Sequence, residues 1–273
     1  MTDCCLTLDK KGDRSIIHNN RPVPNFISRI KNKYATPLPC IFCHSSESSS
    51  VAHIVPESLG GKNAPIGRPG VTCDRCNQYF GQKVESKALH SFPFNGYRLL
   101  QGVPSKKGRF VRMDTMFGKV EASGAPGIIQ LEPRNDELKN LVETGRVSQF
   151  HLIAEVSEPL AVVRMLLKIG LEQLGKHFYD VAVSSRVEEA RAFARRPGRG
   201  DNWWFVLCTN PSEVFDTKTQ GEVSIEIREQ EGILVSIMHL PGVTTIVPLE
   251  KRAVPPTSAN LPEPRYRIIR TTC

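Results

Sequence analysis

Four cysteines in two Cys-x-x-Cys pairs, Cys40 with Cys43 and Cys73 with Cys76, are the residues whose type and spacing point most directly to chemistry. Each pair offers two thiolate sulfurs from one tight turn. Two such turns supply the tetrahedral four-sulfur set that zinc takes, at about 2.3 Å from the metal. The other cysteines, Cys4, Cys5, Cys208 and Cys273, are scattered and read as ordinary residues. A disulfide framework is the competing use of eight cysteines, and it goes with export into an oxidising compartment. The opening residues, MTDCCLTLDKKGDR, mix acidic and basic side chains where a signal peptide would need a basic stretch and then an apolar one. Metal ligation is therefore the better reading, and a cytoplasmic location is expected. Structural zinc contributes roughly 10–16 kcal/mol of apparent free energy in small zinc domains, so losing one ligand should unfold the region that carries it.

The 29 residues between the pairs are more than a simple ribbon needs, so they should carry a hairpin or functional loop of their own. They include Val51-Ala52-His53-Ile54-Val55-Pro56-Glu57-Ser58-Leu59-Gly60-Gly61, and Asn77-Gln78-Tyr79-Phe80-Gly81 follows the second pair directly. This ordered set resembles the HNH endonuclease family, also called ββα-metal or His-Me finger, in the subtype whose two zinc knuckles bracket the catalytic hairpin. The resemblance runs from Cys40 to about Glu85. A weaker likeness to bacterial HNH proteins continues through the basic segment to about residue 110 and the central helix.

The resemblance implies that His53, on the first strand, is the general base that takes a proton from the water attacking phosphorus. Histidine suits that role because an imidazole ordinarily titrates near neutral pH. It also implies that Asn77, near the start of the following helix, is a ligand of a separate catalytic Mg2+ or Mn2+ ion. Oxygen donors suit such hard cations, while the thiolates keep zinc. The family commonly carries Asp, Glu or His where this chain has Ala52, which has no donor atom. Glu57 and Glu85 are the two carboxylates placed to substitute, Glu85 lying eight residues beyond Asn77 on a helix. The alternative for each is a solvated surface carboxylate. His44, directly after Cys43, reads as an exposed polar residue, and Trp203-Trp204 as core.

Charge supports a polyanionic partner for the first part of the chain. Residues 1–120 hold 18 lysines and arginines against 8 acidic residues, whereas residues 121–273 hold 18 against 20. Lys62, Arg68, Arg75, Lys83 and Lys87, with Lys106, Lys107, Arg109 and Arg112 downstream, are the cations expected to contact DNA phosphates. Such side chains bind phosphate without reading bases, so binding should weaken steeply with salt.

The elements that must position these residues follow from punctuation and periodicity. Residues 1–38 read as a basic arm, 39–120 as the zinc-bound HNH module with its basic extension, and 121–273 as an α+β accessory domain of undefined role. Residues 91–147 are rich in turns and read as short strands and loops. Pro159–Phe178 has apolar residues at near-helical spacing and reads as a buried central helix, and Arg186–Arg195 as a charged helix ended by Pro197 and Gly198. NWWFVLC, GEVSIEIR, ILVSIMHL and TTIVPL read as strands, with Gln230-Glu231-Gly232 turning a hairpin. The expected fold class is α+β, a zinc-bound ββα-metal module followed by a central helix and an antiparallel sheet.

No apolar run is long enough to cross a bilayer, so a membrane role is not expected. The leading expectation is a metal-dependent DNA endonuclease, in bacterial defence or a mobile element. A catalytically decayed zinc-ribbon nucleic-acid-binding protein is the runner-up, and a nuclease restrained by a ligand or partner at its second half is the third reading. One HNH site cuts one strand, so double-strand cleavage would call for a homodimer or two successive nicks.

Overall fold

A computed structural model of the protein describes residues 38–45, 51–60, 64–105, 107–147, 155–210, 223–256 and 266–273. The arm over residues 1–37 lies outside the described residues, as do Lys62 and Lys106.

The fold is α+β, organised around α6 (Pro159–His177). This is the helix that the apolar spacing predicts, and it starts on the proline expected at a first helical position. Buried residues occupy all its sides, and a helix apolar all round must be surrounded by protein. One side lies on an antiparallel five-stranded sheet in the order β5 (Ser224–Gln230), β6 (Ile233–Leu240), β7 (Val243–Pro248), β4 (Asn202–Thr209) and β8 (Tyr266–Thr272). At Gly170 the helix approaches the sheet so closely that a Cβ would stand 2.6 Å from Ser236 Cβ. The β5–β6 turn is the expected hairpin, closed by Glu231 and Gly232 with φ of 51° and 75°. Strand β8 was not anticipated from the sequence. The charged helix is α8 (Glu188–Arg195), preceded by α7 (Tyr179–Val183).

The other side of α6 meets the cysteine-bearing region. A Cβ at Gly175 would stand 2.8 Å from Val71 and 3.6 Å from Ile41. One apolar cluster accordingly contains Ile41, Ile54 and Phe80 together with Val162, Leu166, Phe205 and Met238. Position 120, where charge and composition place a domain boundary, falls inside β2 (Gly118–Ala122). That strand pairs with β1 (Arg112–Thr115) and β3 (Ile129–Pro133) in a separate three-stranded meander. Within residues 91–147, read as strands and loops, the structure adds two helices, α4 (Phe94–Gln101) and α5 (Asp136–Glu143). The FNGYRLLQ sequence of α4 contains a glycine that lowers its helical signal. Burial of Phe94, Tyr97 and Leu99 decides its state.

Candidate active site and metal centre

The first Cys-x-x-Cys pair brackets the turn at residues 41–43, Cys40 just before it and Cys43 at its end, and the second opens α2 (Asp74–Phe80), with Cys73 as its cap. The four sulfurs lie within 4.8 Å of one another, Cys43 and Cys73 at 3.4 Å. Two backbone features permit this. His44 adopts φ 60° beside the first pair, and Gly70 adopts φ 88° where a Cβ would sit 2.6 Å from the Leu38 carbonyl oxygen.

Sulfurs this close and this buried cannot all carry negative charge unless a cation lies among them. A hydrogen bond from Cys76 draws the Cys40 thiol down to about 4, the same bond pushes Cys76 up, and burial pushes Cys73 up. The donor set and its spacing thus fit a tetrahedral zinc ion held by Cys40, Cys43, Cys73 and Cys76. Arginines flank the cluster. Arg75, exposed on α2, stands beside Cys43, while Arg195 at the end of α8 stands beside Cys76. Arg195 also stacks on the Tyr79 ring, its guanidinium carbon 3.6 Å from the ring centroid.

His53 lies on a hairpin between the knuckles. Ile54 N–H donates to Pro65 O and Gly67 N–H to Ala52 O, both at 2.8 Å, around the single bridge of His53 with Ile66. The expected strand is therefore one bridge long, and α1 (Glu57–Gly60) forms part of the connecting loop. Alternation along it buries Ala52 and Ile54 and leaves His53 half-buried on the other side. Ala52 thus presents a methyl to the core. Neither ring nitrogen of His53 hydrogen-bonds another described residue, and Nδ1 is buried with that capacity unmet. Buried imidazole nitrogens are ordinarily paired, so this ring is uncommitted in a way a structural histidine is not.

Asn77 stands half-buried one residue past Cys76, its N–H bonded to Cys73 O and its side chain without a partner among the described residues. From Phe80 the helix widens into a π turn, Gly81–Glu85, and continues as α3 (Ser86–Ala88). Glu85, offered by the sequence as a cation ligand, is ion-paired at 3.0 Å with Lys168 of α6. Glu57 is half-buried and partnered. Among the described residues, the four cysteines are the one group of three or more His, Cys, Asp or Glu side chains placed to share a metal ion.

Of the expected phosphate contacts, Lys83 and Lys87 are exposed along the π turn and α3, Lys107 and Arg109 are exposed on the loop before β1, and Arg68 is half-buried. Arg112 is ion-paired with Glu132 of β3.

Two residues that the sequence did not single out stand near these elements. Lys168 is fully buried, and its ammonium donates to the carbonyls of His53 at 2.8 Å and Ile54 at 3.1 Å. It also pairs with Glu172 at 3.0 Å, whose carboxylate accepts from Thr72 at 2.7 Å. Burial alone would push the Lys168 ammonium down, but the two carboxylates outweigh burial and hold it above its usual value. Arg98 on α4 is 7% exposed, its Nε is buried without a partner, and burial holds its pKa below the ordinary arginine value. The only sequence signal for either was a charged residue at an otherwise apolar helical position.

No curated protein and no solved structure matches the chain. Residues 40–93, from the first knuckle cysteine to the residue before α4, match the family model of the HNH endonucleases, and this likeness supports a nuclease function.

Proposed function

We propose that the chain is a metal-dependent endonuclease that hydrolyses phosphodiester bonds in DNA, with His53 as general base. The observation that carries this reading is the uncommitted imidazole of His53 on a hairpin held between the two cysteine pairs. In the reaction, His53 takes a proton from a water as that water bonds to phosphorus. The phosphorus–O3′ bond then breaks, and a solvent proton completes the 3′ hydroxyl. Asn77 would hold a Mg2+ or Mn2+ ion, its amide oxygen being the unpartnered hard donor beside the zinc knuckle. When bound, such an ion neutralises phosphate charge and stabilises the leaving oxygen. Lys83, Lys87, Lys107 and Arg109, all exposed, supply cations to the backbone.

Ala52 favours a second reading, a nucleic-acid-binding zinc module without hydrolysis, because a buried methyl stands where the resemblance places a metal ligand. One experiment separates the two: nicking of supercoiled plasmid by zinc-loaded protein with added Mg2+ or Mn2+. Cutting by the wild type that disappears in His53→Ala is expected. DNA binding that weakens with salt while neither protein cuts would establish the binding module.

A further inference from the structure

Lys168 lies 115 residues from His53 in sequence, yet its ammonium bonds the carbonyl of His53 and that of the next residue. The same nitrogen meets Glu85 on the π turn and Glu172 on its own helix, and Glu172 is bonded by Thr72, the residue before Cys73. One buried cation thus ties together the hairpin, the helical run that carries Asn77, the second zinc knuckle and the central helix. Burying an ammonium is costly unless its donors are satisfied, and here four oxygen partners surround it. A leucine or methionine would fill the same space in an apolar core without that cost. What the lysine adds is a fixed point for two consecutive carbonyls of a hairpin that has only one bridge of its own.

We propose that Lys168 is a positioning residue that sets the backbone of His53 and so aims its imidazole, making α6 part of the catalytic apparatus. The proposal rests on the nuclease reading above. Lys168 touches neither substrate nor cation. It acts through His53, and a displacement of about 1 Å at such a group costs on the order of 100-fold in rate.

The test uses the full zinc-loaded chain. Lys168→Met alone would strand the buried Glu172 and the partly buried Glu85 carboxylates and could prevent folding, so the decisive variant is Lys168→Met with Glu172→Gln, which keeps the net charge of the cluster. Two readouts are taken on it and on Glu172→Gln alone. One is kcat and KM for nicking, and the other is hydrogen exchange at the Ile54 and Gly67 amides of the hairpin.

Relative to Glu172→Gln, the double variant is expected to lose about 100-fold in kcat with KM within about twofold. Exchange at both amides should be at least about tenfold faster, with zinc content unchanged. Unchanged kcat and exchange, or a loss confined to KM, would overturn the proposal. A wild type that does not cut would overturn the nuclease reading and with it the catalytic role. Faster exchange in the double variant would then still identify Lys168 as the hairpin's anchor, and unchanged exchange would remove that role as well.

Discussion

Cys43 shows how much rests on single atoms at this site. A Cys43→Ser variant replaces a thiolate with a hydroxyl that zinc binds poorly, and a zinc ion held by the four cysteines would tie the first pair to the start of α2. We expect less than one zinc per chain and a lower melting temperature, read by metal analysis and thermal unfolding. Full zinc content with unchanged melting would contradict the site. Glu172 gives a prediction in pH. It faces Lys168 and Thr72, with Glu85 nearby, so one cation serves two carboxylates. Burial pushes the Glu172 carboxyl up to about 7 from an ordinary 4.5. Between those values the unfolded chain has released this proton while the folded chain still binds it, so this group makes stability fall as pH rises through the window. Glu172→Gln should flatten that fall relative to wild type, measured by denaturant unfolding from pH 5 to pH 8. A steeper fall in the variant would reverse the assignment.

The element that organises the protein is α6, and its glycines are where it can be tested. At Gly170 a methyl would stand 2.6 Å from Ser236 Cβ, so Gly170→Ala must push the helix away from β6. The expected cost is about 1–3 kcal/mol by denaturant unfolding. Gly81, at the start of the π turn, has nothing within 4 Å of an added Cβ and lies at φ −56°. Gly81→Ala should leave stability unchanged or raise it by up to about 1 kcal/mol, because the unfolded chain loses freedom at no steric cost. Equal effects of the two substitutions would mean that close packing of α6 on the sheet is not what holds it. The helix itself was legible from the spacing of Val162, Val163, Leu166, Leu167, Leu171 and Leu174. Its two-sided burial was not, because periodicity shows that a face is apolar without showing what covers it.

For the whole molecule, the consequence is that the charge boundary near residue 120 is not a boundary of packing. Ile41, Ile54 and Phe80 share one core with Val162, Leu166 and Phe205. A fragment ending at residue 120 would expose that surface. We expect it to be unfolded or aggregated by circular dichroism and size-exclusion chromatography, even with zinc present. A soluble, cooperatively melting fragment would show that the cysteine-bearing region can close its own core. The central helix is short of membrane-spanning character for a related reason. No helix among the described residues is long and apolar enough to cross a membrane, and Arg164, Lys168 and Glu172 lie within α6.

By itself the sequence picked out the candidate residues for chemistry and their local frame. Cys40, Cys43, Cys73 and Cys76, His53 between them and Asn77 directly after them are defined by residue type and short-range spacing, the kind of information that a tight turn or a helix start converts directly into geometry. The β5–β6 hairpin and α6 were legible for the same reason. Tertiary structure alone decided that Glu85 pairs with Lys168, that Ala52 faces the core, that Arg195 reaches Cys76, and that a lysine of the central helix grips the backbone of His53. Each of these joins groups far apart in the chain. Such pairings depend on which faces pack together, and a burial pattern repeating every two or 3.6 residues carries no record of that partner.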